Sequence, residues 1–181
     1  SGKDPSKVDR SAAYAATRHR YWPGSSNQVW VSGQSCAQGG CYTLIMRWDG
    51  SAFTIVPSPN VPAVYNFLTD LAANSGNDIW AVGYTRTGSY GEYVYRPLVL
   101  HWDGSAWSII PTPDLGSQGA ILNTVAATSS SDIWAVDSYY DSYAYATNPI
   151  ALHWDGSTWS LPAMPLPPNY YNVTLNGAAA I

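Results

Sequence analysis

Two of the three histidines in this 181-residue chain occupy one place in a repeated pattern, which makes them the first residues to test for chemistry. His101 and His153 each stand directly before Trp-Asp-Gly, and Arg47 holds the same place in an earlier copy. Catalysis needs an acid, a base or a nucleophile placed for one reaction, whereas a residue that recurs with each copy of a repeat serves the scaffold. We therefore expect both histidines to be structural. The third, His19, has no obvious partner.

The acidic residues offer one further catalytic arrangement. Asp137 and Asp141 lie beside a predicted long loop, and either of them paired with Glu92 would give the two carboxylates of a glycoside hydrolase. No spacing sets the distance between these groups, so a glycoside hydrolase-like enzyme is only the third interpretation and the chain is predicted not to be an enzyme. The other recurring acids lie at predicted turns, where they bond the backbone: Asp49, Asp78, Asp103, Asp132 and Asp155.

Composition excludes several classes of partner. Charged residues make up 11% of the chain and the net charge is -4, so an electrostatic nucleic-acid binder is not expected. No apolar run approaches the roughly 18 residues of a membrane helix. No metal-spaced cluster, phosphate-binding loop or other cofactor motif occurs, so no metal and no cofactor is predicted.

The cysteines and one sequon indicate the compartment. Cys36 and Cys41 are separated by four residues, two of them glycine, so both thiols can meet across a hairpin. We predict a disulfide between them and therefore an extracellular or cell-surface location. Asn172-Val173-Thr174 makes Asn172 a candidate glycosylation site.

An internal repeat organises the chain. Trp-Asp-Gly occurs at Trp48, Trp102 and Trp154, at spacings of 54 and 52 residues. Asp-Ile-Trp-Ala-Val occurs at 78–82 and again at 132–136. Each unit contains four short predicted strands, with Asp-Gly forming a tight hairpin between the third and the fourth. Units of this size that hold four strands are typical of propeller blades.

The series Asp-Ile-Trp-Ala-Val and His-Trp-Asp-Gly-Ser-x-Trp-Ser resembles the Trp-rich propeller-like repeats of secreted bacterial proteins. The resemblance covers about residues 27–181 and implies an architecture rather than an activity. The expected fold is all-β and propeller-like, with three four-stranded antiparallel blades of about 50–54 residues and the first strand of a fourth.

The predicted divisions follow the repeat. They are an N-terminal arm at 1–26, blade-like repeats at 27–67, 68–121 and 122–174, and an extra strand at 175–181. Closed propellers usually have about four to eight blades, so three blades leave exposed faces and edges. We expect the extra strand to complete a blade in the same chain or in a neighbouring one.

Tryptophan and tyrosine occur at different kinds of position in the repeat. Eight of the nine tryptophans recur in phase, and we predict that they pack the blades together: Trp30, Trp48, Trp80, Trp102, Trp107, Trp134, Trp154 and Trp159. Tyrosines gather in the predicted long loops and connections on one face, where wide amphipathic rings suit a binding surface. The predicted ligand- or partner-binding residues are Tyr90, Tyr93, Tyr95, Tyr139, Tyr140, Tyr143, Tyr145, Tyr170 and Tyr171.

Two functions follow from these patterns. The first is a non-enzymatic extracellular protein that self-assembles through edge strands and blade contacts, into a filament or a ring, and serves surface structure and adhesion. The alternative is a lectin-like propeller module that binds carbohydrate or a cell-surface protein through its tyrosines. The incomplete set of blades favours the first, and the long loops favour the second.

Overall fold

The structure is a computed structural model that describes residues 28–89, 92–115, 119–141, 146–166, 168, 170 and 172–179. Within these residues it is all-β, with three antiparallel sheets and no helix. Sheet 1 contains β1 (Val29–Ala37), β2 (Gly40–Trp48) and β3 (Phe53–Val56). Sheet 2 contains β4 (Tyr65–Ser75), β5 (Asp78–Thr87), β6 (Val94–Trp102) and β7 (Trp107–Ile109). Sheet 3 contains β8 (Ile121–Ser129), β9 (Asp132–Asp141), β10 (Ala146–Trp154) and β11 (Trp159–Ser160).

Each sheet is a simple meander in which consecutive strands pair. The last two strands of every sheet are joined by an Asp-Gly turn whose aspartate bonds the backbone that follows. In sheet 2, Asp103 Oδ1 accepts hydrogen bonds from the backbone N–H groups of Ser105 and Ala106, both at 2.8 Å. Gly104 has a φ of +98°, a conformation that glycine adopts without strain. Asp49 and Asp155 close the equivalent turns with the same bonds.

The sheets stack face to face in chain order. Strand β4 contacts β1 and β2 of sheet 1, and β8 contacts β4, β5 and β6 of sheet 2. One apolar core lies between sheets 1 and 2 and contains Ile45, Leu71 and Leu100. A second core lies between sheets 2 and 3 and contains Val82, Val125 and Leu152. Both faces of sheet 2 are therefore buried, because alternate residues of its strands point to opposite sides.

The structure confirms the all-β prediction and corrects its details. Sheet 1 has three strands among the described residues, not the four that were predicted for each blade. One strand runs through a predicted long loop: β9 continues past the Asp-Ile-Trp-Ala-Val segment at 132–136 and ends at Asp141. Of the predicted strand at 175–181, the described residues 175–179 are irregular in this chain, and Asn172 before them makes only an isolated bridge to Thr147. Residues 180–181 and the arm at 1–26 lie outside the described residues.

Candidate assembly interface

A polar cluster of three side chains recurs in sheets 2 and 3. In sheet 2, Trp80 Nε1 donates to Asp78 Oδ1 at 3.0 Å, and His101 Nε2 lies 2.8 Å from the same oxygen. The Trp80 and His101 rings are 4.3 Å apart. Because the aspartate holds both rings, this histidine is committed to the scaffold, which agrees with its repeated position.

Sheet 3 repeats this cluster almost atom for atom. Trp134 Nε1 and His153 Nε2 lie 3.0 and 2.8 Å from Asp132 Oδ1, and the two rings are 4.3 Å apart. Hydrogen bonds from Thr128 and then His153 lower the pKa of Asp132. The cluster of sheet 3 is the more open one, since the side chain of Asp132 is 41% exposed and that of Asp78 only 17%.

Trp80 and Trp30, its repeat equivalent in sheet 1, also join neighbouring sheets. Trp80 of sheet 2 packs against Trp154 and Trp159 of sheet 3, with ring centres 5.2 and 5.7 Å apart. Trp30 of sheet 1 packs in the same way against Trp102 and Trp107 of sheet 2, at 5.2 and 5.9 Å. We call this arrangement the tryptophan contact: one ring of a sheet lies against two rings of the next.

Polar bonds between the first strands reinforce the stacking. The buried carboxylate of Asp70 on β4 accepts from Thr124 Oγ1 at 2.9 Å and from the backbone N–H of Val125 at 3.1 Å. Thr69 Oγ1 donates to the backbone oxygen of Leu122. These bonds link residues more than 50 positions apart, so they hold sheets 2 and 3 in one register.

The two ends of the stack carry unmatched halves of the tryptophan contact. The free side of sheet 1, here called the leading face, presents Trp48 and Phe53, with ring centres 5.1 Å apart. Phe53 is 50% exposed, whereas Trp107 at the equivalent place in sheet 2 is 6% exposed. The free side of sheet 3, here called the trailing face, presents Trp134 with His153. Among the described residues neither Trp48 nor Trp134 meets an aromatic ring from another sheet.

The strand edges are incomplete at the same two ends. Sheets 2 and 3 each begin with a strand that pairs with the Asp-Ile-Trp-Ala-Val strand, but β1 has no such partner among the described residues. Residues 173–176 alternate between partly buried and exposed, which is the pattern of a strand with one covered side. Their first residue bonds the outer edge of β10, where Val173 N–H donates to Thr147 O at 2.8 Å.

The disulfide prediction is confirmed. Cys36 and Cys41 are bonded and face each other as register partners across the β1–β2 hairpin. Asn172, the candidate glycosylation site, is exposed, and its Oδ1 accepts from the backbone N–H of Thr147 at 2.9 Å. Its glycosylation stays a prediction.

The structure places the predicted tyrosine surface differently from the sequence interpretation. Tyr95, Tyr139 and Tyr140 lie on strands rather than in loops, while Tyr93 directly precedes β6 and Tyr170 follows sheet 3. The remaining predicted positions lie outside the described residues: Tyr90, Tyr143, Tyr145 and Tyr171. Ligand binding at these positions stays a prediction.

The predicted acidic candidates lie in different environments. Asp137 on β9 is 4% exposed, and burial raises its pKa, while hydrogen bonds with Ser138 and Asn123 partly oppose that shift. Glu92 is exposed in the connection before β6. Asp141 ends β9, and its side chain is outside the described part of the structure. Within that part, no group of three acidic, histidine or cysteine residues is placed to hold a metal, and no helix could span a membrane.

One cluster was missed by sequence reasoning. Arg86 lies among Tyr65, Phe67 and Tyr93, with its guanidinium carbon 4.4–5.4 Å from the ring centres. These residues come from three strands or their ends and do not repeat between units. Only the strand register could have brought them together.

Comparison with known proteins adds no family. No protein-family model matches this chain, and no curated protein or solved structure shows significant similarity to it. The function therefore has to follow from the geometry of the chain itself.

Proposed function

We propose that this chain is a non-enzymatic structural subunit whose three sheets are propeller-like blades, and that copies of it join head to tail in an extracellular or cell-surface assembly. The tryptophan contact carries this proposal. It occurs twice inside the chain, and the leading and trailing faces hold its two unmatched halves. A trailing face set against a leading face would form the same contact a third time, with Trp134 against Trp48 and Phe53.

The two faces differ, which determines the kind of assembly. Contact between unlike surfaces is heterologous, so it repeats from copy to copy until the rotation closes a ring or continues as a filament. Each added copy buries one exposed aromatic pair and one polar cluster. Burial of large aromatic side chains is the main source of free energy at such contacts.

The strand edges support the same head-to-tail order, with sheet 3 of one copy next to sheet 1 of another. The unpaired edge of β1 belongs to sheet 1, and the C-terminal segment with the residues of a first strand leaves from sheet 3. An extended segment that adds to an open sheet edge gains a complete set of main-chain hydrogen bonds. Residues 175–181 of one copy would then serve as the missing first strand of sheet 1 in the next.

The disulfide supports an extracellular location. Disulfides persist in oxidising compartments and are rare in the cytosol. The Cys36–Cys41 bond staples the hairpin of sheet 1, which has the fewest strands among the described residues. A surface role in structure and adhesion follows from that location and from repeated faces, which give many copies in one assembly.

Sedimentation velocity with two face variants tests the proposal. The wild-type chain should form species larger than a single subunit. Trp134→Ser removes the ring of the trailing half of the contact, and Phe53→Ser removes one of the two rings of the leading half, so each variant alone should remain a single subunit. An equimolar mixture should form dimers and nothing larger, because only the leading face of the Trp134→Ser chain and the trailing face of the Phe53→Ser chain remain intact.

The matched control is Ile109→Ser on β7, which removes an exposed apolar side chain from the middle sheet. It should assemble like the wild type. A wild-type chain that stays a single subunit at all concentrations would overturn the proposal, and so would a mixture of the two face variants that does not dimerise. Circular dichroism of Phe53→Ser, which alters a half-exposed residue, shows whether the fold is retained.

A further inference from the structure

The middle sheet carries an arginine surrounded by aromatic rings, at the end away from its Asp-Gly turn. The guanidinium carbon of Arg86 lies 4.4 Å from the ring centre of Tyr93, 5.0 Å from that of Tyr65 and 5.4 Å from that of Phe67. Tyr65 on β4 is the register partner of Arg86 on β5, so their side chains share one face of the sheet. The three aromatic rings therefore hold the Arg86 guanidinium in place.

No acid neutralises this cation within the described residues. The ion pairs there all join a histidine to an aspartate, so no carboxylate lies at ion-pair distance from Arg86. Its Nε is buried and has no hydrogen-bond partner. Ring faces attract a guanidinium through their quadrupoles, but they leave its in-plane N–H groups without an acceptor. Among the described residues, this guanidinium therefore has no anionic acceptor.

The surrounding rings form a supported platform. Tyr65 is 40% exposed and Tyr93 is 36% exposed. Behind them, Phe67 stacks on Tyr84 with ring centres 4.8 Å apart, and Tyr84 meets Tyr95 at 5.6 Å. Desolvation raises the pKa of Tyr84, which is consistent with its supporting position. Flat rings held in this way present contact area at low entropic cost.

The geometry points to a binding site for an acidic sugar at Arg86, Tyr65 and Tyr93. A carboxylate meets a guanidinium through two parallel N–H···O bonds, which supplies the missing acceptor. The exposed tyrosine rings suit the C–H face of a pyranose, which a simple carboxylate does not offer. The site lies on the middle sheet, away from the leading and trailing faces, so it does not depend on assembly.

Isothermal titration with tetragalacturonate at low salt tests this inference. The wild-type chain should bind it at least tenfold more tightly than the neutral galactose tetramer, since only the acidic sugar satisfies the guanidinium. Arg86→Gln should lose at least tenfold in affinity. Arg86→Lys keeps the charge but not the paired donors, so its affinity should lie between those of the wild type and Arg86→Gln. Tyr65→Ala should weaken binding by removing part of the platform.

The matched control is Arg96→Gln. Arg96 follows Tyr95 on β6, so it points to the other side of the sheet, and it donates to the backbone oxygen of Tyr95. This variant should bind like the wild type. The Trp134→Ser chain should also keep its affinity, which separates failure of this site from failure of the assembly proposal.

Three results would overturn the inference. They are the absence of tetragalacturonate binding, equal affinity for the acidic and neutral sugars, and undiminished binding by a folded Arg86→Gln chain. A peptide with a free C-terminal carboxylate should bind more weakly than the sugar, and equal binding would reject the sugar as the ligand class. Should Arg86→Gln fail to fold, the comparison of the two sugars on the wild-type chain still decides the question.

Discussion

At the scale of single residues, the aspartates of the Asp-Gly turns act through charge. Hydrogen bonds from Ala106 and Ser105 lower the pKa of Asp103 from 3.8 to about 2. A carboxyl whose pKa is lower in the folded chain stabilises the fold above its unfolded pKa, and this contribution is lost as the pH falls through the folded pKa. Asp49 and Asp155 have the same shift and the same cause.

We expect Asp103→Asn to lower the melting temperature at pH 7, because an amide oxygen accepts the same bonds more weakly than a carboxylate. The difference from the wild type should shrink between pH 4 and pH 2, where the carboxyl of the wild type gains its proton. Thermal unfolding followed by circular dichroism measures both values. Glu92→Gln, at an exposed carboxyl outside the turns, is the control. A difference for Asp103→Asn that persists at pH 2 would contradict the assigned role of the charge.

The pKa of Asp137 shifts in the opposite direction from those of the turn aspartates. Its pKa is raised by burial, so the folded chain binds the proton more tightly than the unfolded chain does. The contribution of Asp137 to stability is therefore fully present below the unfolded pKa of 3.8 and is lost as the pH rises through the folded pKa. We expect Asp137→Asn to raise the melting temperature at pH 7 and to match the wild type near pH 3. A lower melting temperature at pH 7 would show that the carboxylate makes a bond that the amide cannot replace.

The sequence was informative about residues that repeat and uninformative about residues that do not. His101 and His153 were predicted to be structural because they recur, and the structure gives them the same aspartate contact in both sheets. Asp70 and Arg86 occur once each. Their partners are set by sheet stacking and strand register, which no local spacing encodes. The sequence therefore did not indicate the contacts of either residue.

At the scale of elements, the β1–β2 hairpin is the one held by a covalent bond. Cys36 and Cys41 close a loop of a few residues, so the bond removes little entropy from the unfolded chain. We expect the double variant Cys36→Ser with Cys41→Ser to lose about 2 kcal/mol of unfolding free energy while keeping its fold. Urea unfolding measures this loss, and the reduced wild-type chain provides an independent comparison. A double variant that does not fold would mean that the hairpin depends on the bond far more than its loop length implies.

Turns were predicted better than strand lengths. Asp-Gly marks each last hairpin because the aspartate bonds the following backbone and the glycine accepts a positive φ. The extensions of β5 and β9 were missed because their polar and aromatic residues resemble loop composition. In the structure they are strands because neighbouring strands supply the ladder, as between Tyr139 and Asn148. Tertiary pairing decided what local composition left open.

At the scale of the whole molecule, the stack has a direction. At both internal boundaries, the first strand of the later sheet and a tryptophan of the earlier sheet lie at the contact. The two ends of the stack carry the unmatched halves of this contact, which an added sheet would complete. Three units and a spare segment were evident in the sequence as an incomplete set. The difference between the leading and trailing faces was not evident in the sequence, because it depends on which side of each strand points toward the neighbouring sheet.

The spare segment gives the last prediction. If residues 175–181 complete sheet 1 of a neighbouring copy, a proline within them should prevent assembly, because proline cannot donate to a ladder. Gly177 suits this change, since nothing lies within 4 Å of the position that a Cβ would occupy there. We therefore expect Gly177→Pro to melt like the wild type but to sediment as a single subunit. Leu166→Pro, in the irregular segment after β11, is the control and should assemble normally. A Gly177→Pro chain that assembles like the wild type would exclude strand donation and leave the tryptophan contact alone to join the copies.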